Sequence, residues 1–337
     1  MKRILLDSAT PFFKGNMHCH STVSDGALTP QELKELYRAH GYHFIAFTDH
    51  EHVVPHPELN DDRFVAITGA EYAIKEFPEQ STLRNWDMKV CHLNLYAKDA
   101  GNDFSVCYNE KADHFSHGEY RKNIKKPDKN YSRLYGAEGI NDLIRQANEN
   151  GFFVAYNHPR WSLENYGDYG GYEGLWGVEI YNTATNRAGL YEYDVNILDD
   201  MLRDGKRVFA SCGDDNHNGK RIGLRDSCVA FVMVNAKELS YAAIVDGLLR
   251  GNFYSSTGPL IYDLSVEEGV VHVRSSEAVE ITLSTRGRRS DIAMAEEGKT
   301  VTEASFPLCE TDGYFRIDVV DAQGRRANSQ AYFLEEL

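Results

Sequence analysis

The chain has 337 residues, of which 51 are acidic and 36 are basic, so its formal net charge is −15 with histidine counted as neutral. A surface this acidic repels polyanions, which argues against duplex nucleic acid and anionic membranes as main partners. The length exceeds that of most single domains, and we expect two domains, at residues 1–256 and 257–337.

The first part of the chain alternates short apolar runs with amphipathic runs. Thr29, Pro30 and Glu32 combine an N-cap, a proline at the first helical position and a capping-box acid, so a helix is predicted from there to about residue 40. Further helices are predicted at residues 140–150, 191–203 and 236–250, and strands at 43–47, 63–67, 89–96, 152–156, 178–181 and 208–211. Apolar strands between such helices predict an α/β fold with a parallel sheet, whose carboxyl ends carry the chemistry.

A polar segment at residues 98–135 interrupts this alternation. It contains scattered aromatic residues and a basic run at residues 121–126. Such a long segment without a regular pattern is either a lid over a site or a plain surface excursion, and the sequence leaves both open.

The pattern changes after Gly251. Residues 252–259 are rich in Ser, Thr, Gly and Pro, and apolar and polar residues then alternate at 262–266, 270–273, 279–283 and 314–320. This predicts a small antiparallel β-sandwich domain at residues 257–337. Three roles remain open for this domain: a dimer interface, a wall of the pocket and a carbohydrate-like binding module. The sequence also leaves open whether the protein forms a homo-oligomer.

Cysteine spacing and hydropathy bear on location. The six cysteines form no C-x-x-C pair and no regular framework, which predicts reduced thiols in a cytoplasmic protein. No apolar run reaches the length of about 18 residues that a membrane span needs, so we expect neither a signal peptide nor a membrane segment.

Histidines and acids recur close to the ends of the predicted strands. Residues two apart on a strand point to the same face, so His18 and His20 can hold one cation together, as can Asp215 and His217. One such pair is a weak signal, but repetition along two thirds of the chain is hard to explain by packing. The candidate metal ligands are His18, His20, Asp25, His50, Glu71, His92, His158, Asp215 and His217.

In these motifs the chain resembles the PHP family, the polymerase and histidinol phosphatase metallohydrolases. The resemblance spans roughly residues 16–223 and is carried, in this order, by residues 17–22, 24–26, 47–50, 69–71, 90–93, 157–159 and 213–217. Family members fold as a distorted β/α barrel and hydrolyse mostly phosphate esters with two or three divalent metals. The resemblance therefore implies a distorted (β/α)7-type barrel followed by an added β domain.

Carried over residue by residue, the resemblance implies three metal groups. They are His18, His20, Glu71 and Asp215; Glu71, His92 and His158; and Asp25, His50 and His217, so that Glu71 bridges the first two. These ligands suit zinc, manganese or iron. Glu71, Asp215 and His217 are the expected catalytic residues.

The implied reaction is attack of a metal-bridging hydroxide on a small phosphorylated metabolite. Three divalent ions bring a charge of about +6 and three ligating carboxylates return only about −3, so a loaded site attracts phosphate. With two ions the net charge of the site is close to zero once hydroxide binds. A carbamate or carboxylic ester hydrolase is then the alternative. A binding module with a decayed site is a third hypothesis. Members acting on nucleotides often carry a larger insertion than residues 98–135, which puts nucleotide specificity in doubt.

Three cations near the last motifs are candidate substrate-binding residues. Arg160 follows the motif of His158, and Lys220 and Arg221 follow the motif of His217. Arginine is the better phosphate ligand because its planar fork matches phosphate with two hydrogen bonds, whereas Lys220 is more simply explained as a solvated loop charge.

Several neighbouring residues stay ambiguous in the sequence. Asp49 either orients a histidine or caps a turn, and Asp214 competes with Asp215, which the family pattern selects. His52 is close enough in sequence to His50 to reach the site. The remaining histidines are expected mostly at the surface; they are His40, His43, His56, His114, His117 and His272.

Overall fold

The computed structural model describes residues 2–77, 87–113, 118–191 and 193–337. None of the helices in these ranges combines the length and the apolarity that a membrane span requires. Up to residue 256 the elements are β1 (Lys2–Leu6), β2 (Phe12–Asn16), α1 (Pro30–Ala39), β3 (Phe44–Phe47), β4 (Val65–Lys75), β5 (Val90–Ala97), α2 (Gly118–Arg121), α3 (Ala137–Glu149), β6 (Phe152–Tyr156), α4 (Tyr166–Tyr169), β7 (Gly177–Asn182), α5 (Thr183–Thr185), α6 (Val195–Arg203), β8 (Phe209–Gly213), β9 (Phe231–Asn235), α7 (Tyr241–Leu249) and β10 (Phe253–Ser256). Beyond residue 256 they are β11 (Ile261–Glu267), β12 (Val270–Ala278), β13 (Glu280–Thr285), β14 (Ser290–Met294), β15 (Val301–Pro307), β16 (Tyr314–Val320), β17 (Arg326–Asn328) and β18 (Tyr332–Phe333).

Helix α1 forms where the capping residues predict it. The backbone N–H of Glu32 donates to the Thr29 hydroxyl at 3.2 Å, and the backbone N–H of Thr29 donates to the Glu32 carboxylate at 2.8 Å. Two donors at the start of the helix are thereby satisfied. Leu33 and Tyr37 are buried on the opposite face, in one apolar cluster with residues of β3.

The strands β2 to β8 lie side by side in chain order within a 14-stranded sheet. The pairs β2–β3, β3–β4, β6–β7 and β7–β8 are parallel, whereas β5 runs antiparallel to both β4 and β6. The mixed α/β class is therefore confirmed, and the prediction of an all-parallel sheet is wrong at β5. A parallel crossover needs a long connection, usually a helix, and no helix is described between β4 and β5.

The chain segments that follow β2 and β8 meet, although these two strands stand at opposite ends of the seven. The backbone N–H of Asp215 donates to the carbonyl of His18 at 2.9 Å, and the N–H of His20 donates to the carbonyl of Asn216 at 3.2 Å. The first and last motifs of the chain are joined by these bonds. Closure of the strands into a complete seven-unit barrel stays a prediction.

The strands after residue 256 pair antiparallel throughout, as predicted. One sheet has the order β1–β11–β12–β15, and β13, β14, β16 and β17 extend the large sheet through β10. Strand β1 therefore pairs with a strand of the proposed second domain, although the sequence assigns residues 1–256 to the first. The boundary near residue 256 stays a prediction.

The sequence missed eight strands and overextended two helices. The strands that were not predicted are β1, β2, β9, β10, β14, β15, β17 and β18. In β2 the sequence FFKGN breaks any apolar alternation. Helix α7 begins only after Ser240, whose hydroxyl accepts a hydrogen bond from the N–H of Ala243 and so caps the helix. Helix α6 likewise begins at Val195 rather than at residue 191.

Candidate metal centre

Six chain segments bring the predicted ligands to one end of the sheet. His18 and His20 follow β2, His50 follows β3, His158 follows β6, and Asp215 and His217 follow β8. Glu71 and His92 lie inside β4 and β5 instead, which corrects the expectation that every ligand follows a strand. Because β5 is antiparallel, with His92 opposite Ala73 of β4, its amino end lies beside the carboxyl end of β4.

The nine predicted ligands form three overlapping groups. In each group every residue offers one ligand atom, and these atoms all lie within 4.8 Å of one another. Imidazole nitrogens and carboxylate oxygens gathered this closely are a donor set that fits divalent transition-metal ions. The groups are His18, His20, Glu71 and Asp215; Glu71, His92 and His158; and His20, Asp25, His50 and His217. His20 in the last group is an addition to the predicted scheme.

Glu71 stands at the centre of the cluster and is buried. Its Oε1 atom lies 2.9 Å from His92 Nδ1 and 3.1 Å from His158 Nε2, while its Oε2 atom lies 3.2 Å from His50 Nδ1. The side-chain amide of Asn157 donates to Oε1 at 2.9 Å and orients the carboxylate. Oε1 also lies 3.3 Å from His18 Nε2, and Oε2 lies 3.4 Å from His20 Nε2, so the carboxylate contacts members of both the first and the second group.

The residues around Asp215 hold unusual backbone conformations. Asp215 has φ 51° and His158 has φ 24°, both in a region that non-glycine residues rarely adopt. A Cβ atom at Gly213 would lie 2.4 Å from the Cβ of His18, so only glycine permits the close approach of β8 to the first motif. The resulting geometry places Asp215 Oδ1 3.0 Å from His20 Nε2 and 3.3 Å from His18 Nε2.

The group of Asp25, His50 and His217 is the one that faces solvent. Asp25 Oδ1 lies 3.3 Å from His217 Nε2 and 3.7 Å from His50 Nε2. The side chains of Asp25 and His217 are 29% and 32% exposed, whereas those of Glu71 and His18 are at most 1% exposed. A substrate entering the site therefore meets this group first.

Sequence reasoning missed Glu179, which supports the cluster from β7. The Glu179 Oε1 atom lies 3.1 Å from His18 Nδ1, and its Oε2 atom accepts hydrogen bonds from the backbone N–H of His158 and the side-chain amide of Asn182. Asn182 also donates to Asp215 at 3.1 Å. A single buried acid inside the apolar strand 178–181 was the signal that pointed to it.

We expect Glu179→Gln to weaken metal binding by roughly 10- to 100-fold, the usual effect of losing a partner that orients a ligand. A glutamine amide placed at Oε2 would meet the N–H donors of His158 and Asn182 instead of accepting from them. Competition with a chelator of known affinity measures the change. An unaltered affinity would show that His18 needs no such orientation.

The two ambiguous acids have structural partners. Asp49 accepts hydrogen bonds from the backbone N–H and hydroxyl groups of Ser21 and Ser24, so it orders the loop between His20 and Asp25. Asp214 accepts from the hydroxyls of Tyr37 and Thr183 and from three backbone N–H groups, and it is fully buried away from the cluster.

A cavity of about 840 Å³ opens over the cluster. The predicted substrate-binding residues do not line it: Lys220 and Arg221 are exposed, and Arg160 lies 3.5 Å from Asp194. The cations in its wall are Lys75, Lys111 and Arg133, whereas Arg160, Lys220 and Arg221 are not among its lining residues; their part in substrate binding stays a prediction. Sequence reasoning did not single out the three wall cations, which come from β4 and from residues 98–135.

Residues 98–135 form part of the cavity wall, as a lid would require. Asn109, Lys111, Asn130, Tyr131 and Arg133 of this segment line the cavity. Trp161 also lines the cavity, and its ring centroid lies 4.8 Å from that of His92 and 5.0 Å from that of His158.

The other histidines lie outside the three groups. His52 and His56 are buried, contrary to the surface expectation for His56, while His40 and His272 are exposed and His43 is half-buried. His52 does not line the cavity. His114 and His117 lie outside the described residues.

The histidines of the cluster differ in the pKa at which they lose their proton. Burial disfavours the charged form of His20 and His158, but their contacts with carboxylates outweigh burial and raise the pKa to about 10 for His20 and to about 9 for His158. Burial, followed by the charge of His20, lowers the pKa of His50 to about 3. Burial also opposes the charged forms of His18 and His217, but nearby carboxylates outweigh it and raise the pKa of both rings. Several histidines of the metal-free cluster therefore favour the protonated form, whereas His50 does not.

We expect metal loading at neutral pH to release protons, because a nitrogen must lose its proton before it binds a cation. The raised pKa values of His158 and His20 lie above neutrality, so affinity should increase with pH, and the release from these two rings should fade as pH rises through about 9 and then about 10. Titration calorimetry in buffers of different ionisation enthalpy measures the number of protons. A pH-independent affinity between 7 and 9 would contradict this proton inventory.

Comparisons with known proteins return partial similarities. No profile of a known family matches the chain. A 5'-3' exoribonuclease of Haemophilus influenzae is 31% identical over 80 residues, which are 24% of this chain and 27% of that protein. The chain thus matches about a quarter of that relative's length.

Three solved structures are similar to the chain. A two-domain protein of Bacteroides vulgatus, described as containing a predicted PHP-like metal-dependent phosphoesterase, is 14% identical with a TM-score of 0.42, over 96% of this chain and 95% of that one. A protein of Bifidobacterium adolescentis described as a metal-dependent phosphoesterase is 17% identical with a TM-score of 0.38, over 61% and 88%. An amidohydrolase of Chromobacterium violaceum with bound sulfate is 15% identical with a TM-score of 0.34, over 60% and 87%.

The likeness to the PHP family rests on this chain's own residues. Its motifs follow the family order, and the nine side chains predicted from them converge on one centre. In motif order and in the grouping of these side chains, the chain resembles PHP-like metal-dependent phosphoesterases that carry an added C-terminal β domain.

Proposed function

We propose that this protein is a metal-dependent hydrolase that cleaves phosphate esters of a small metabolite. The observation that carries the proposal is the set of three metal-ligand groups, sharing Glu71 and His20, at one end of an open cavity. A purely structural metal site is closed by its protein ligands, whereas a catalytic site keeps positions open to substrate.

The three groups name the residues that would hold divalent ions. Ions bound there supply an activated water and positive charge beside the reacting phosphate. Glu71 links the first two groups, because its Oε1 atom lies near His18 of the first and near His92 and His158 of the second, and Glu179 orients the ring of His18. Asp215 completes the first group, and His217 forms the exposed side of the third. These contacts support Glu71, Asp215 and His217 as the residues on which the reaction depends.

Charge favours phosphate over a neutral ester. The groups contain three carboxylates, so three divalent ions leave the loaded site with about three positive charges, which a phosphate offsets. If the third group stays empty, this surplus falls and a carbamate or carboxylic ester becomes the better substrate. Histidine nitrogens and carboxylate oxygens suit zinc, manganese and iron, so the proposal names these three metals.

The test uses metal-depleted protein reloaded with zinc, manganese or iron. Hydrolysis of p-nitrophenyl phosphate, bis-p-nitrophenyl phosphate and p-nitrophenyl acetate is followed against the number of bound ions. We expect phosphate ester hydrolysis that depends on metal. Comparing the diester with the monoester decides whether this chain cleaves phosphodiesters, the bonds that an exoribonuclease such as the partly similar relative cleaves. Activity on the acetate ester alone would defeat the proposal, and protein that cannot be loaded would favour a binding module instead.

A further inference from the structure

The cavity extends away from the metal-ligand groups along β4 and β5. Glu71, Ala73 and Lys75 alternate onto one face of β4, and all three line the cavity. With the rise of a strand, the Cα atom of Lys75 lies about 13 Å from that of Glu71. On β5, Val90 pairs with Lys75 and His92 pairs with Ala73. This wall therefore has a metal-binding end and a lysine end.

Outside the metal-ligand groups, the described residues that line the cavity carry net positive charge. Four acids line the cavity, and three of them, Asp25, Glu71 and Asp215, belong to the metal-ligand groups. The fourth, Glu51, lies 2.7 Å from Arg133, so this buried pair is neutral as a whole. Lys75 and Lys111 have no carboxylate partner within the described part of the chain.

The cavity wall between the metal-ligand groups and Lys75 is largely apolar. Ala73, Met88, Val90 and Ala112 line the cavity, and Trp161 lines it beside His92 and His158. Lys75 is half-buried there, so its ammonium group is less hydrated than on an open surface. A cation in such surroundings gains more from an anionic ligand than a fully solvated one does.

We propose that the cavity binds a phosphate ester whose leaving group is mainly apolar or aromatic and ends in a second anionic group held by Lys75 and Lys111. The inference rests on the proposed function, because the metal-ligand groups are taken to hold the reacting phosphate. The apolar wall contacts the middle of the leaving group. Lys111 reaches the second anion from the segment 98–135, which gives this segment a role in substrate selection.

The experiment measures binding without turnover. Metal-loaded protein is titrated calorimetrically with hexamethylene bisphosphonate and with n-hexyl phosphonate, which lacks the second anion. We expect the bisphosphonate to bind at least about tenfold more tightly, since a contact with a charged partner contributes on that scale. In Lys75→Met with Lys111→Met the ratio of the two affinities should fall towards one. Lys237→Met, an exposed lysine outside the cavity wall, is the matched control and should keep the ratio.

The outcomes separate this inference from the proposed function. If n-hexyl phosphonate binds and p-nitrophenyl phosphate is cleaved, but both phosphonates bind equally, only the second anionic subsite is overturned. A preference that survives in the double lysine variant also overturns it. If neither phosphonate binds and no phosphate ester is cleaved, the proposed function fails, and the inference falls with it.

Discussion

Replacing Glu71 with glutamine is expected to lower kcat/KM for a phosphate ester by about a thousandfold or more and to reduce the number of bound ions. The carboxylate is the only residue shared by the first two groups, and its two oxygens face different histidines. Glutamine keeps the shape of the side chain but replaces one oxygen with an amide that has no lone pair for a cation. Both groups should therefore weaken together.

Steady-state kinetics and elemental analysis of the purified variant measure both effects. Glu303→Gln, on the exposed face of β15, makes the same chemical change away from the cluster and should leave activity and metal content unaltered. Because Glu71 is buried, a thermal unfolding curve must accompany the kinetics and show that the variant is folded. A folded variant with full metal content and near-normal activity would show that Glu71 bridges no ions.

Replacing Asp25 with asparagine should separate the two candidate reactions. We expect about a hundredfold loss in phosphate ester hydrolysis, together with the loss of one bound ion, because Asp25 supplies the carboxylate of the third group. Loss of that ion lowers the net positive charge of the site, and this charge is what favours phosphate. Any hydrolysis of the neutral p-nitrophenyl acetate should change far less, since a neutral ester does not depend on the surplus.

Asp62→Asn is the matched control, because the Asp62 side chain is 87% exposed and contacts only a neighbouring arginine. The diagnostic quantity is the ratio of the phosphate and acetate activities at a measured metal content. An equal loss on both substrates would show that the third group serves catalysis in general and would remove the charge argument for phosphate.

The residue types of the metal centre were readable from the sequence because each motif carries its chemistry locally. His18 and His20, or Asp215 and His217, are two apart, and short spacing of this kind limits how far the side chains can diverge. The capping residues of α1 act over one helical turn and were equally visible. All nine predicted ligands converge in the three groups.

The supporting residues were not readable, because they act across long stretches of chain. Glu179 contacts His18 from 161 residues away; its apolar neighbours mark it as an unusual buried acid, but they do not name its partner. Arg160, Lys220 and Arg221 were chosen for their closeness in sequence to ligands, yet adjacent residues often point to opposite sides, and these three do not line the cavity.

By itself, the sequence determined the α/β class, the antiparallel C-terminal strands and the nine side chains that converge in the three groups, since periodicity and short motifs are local properties. Only the tertiary structure decided the reversal of β5, the pairing of β1 with β11, the sharing of His20 between groups and the lysines in the cavity wall. The physical reason is the range of the interaction: strand partners and cavity walls are set by the packing of distant segments, which no local pattern encodes.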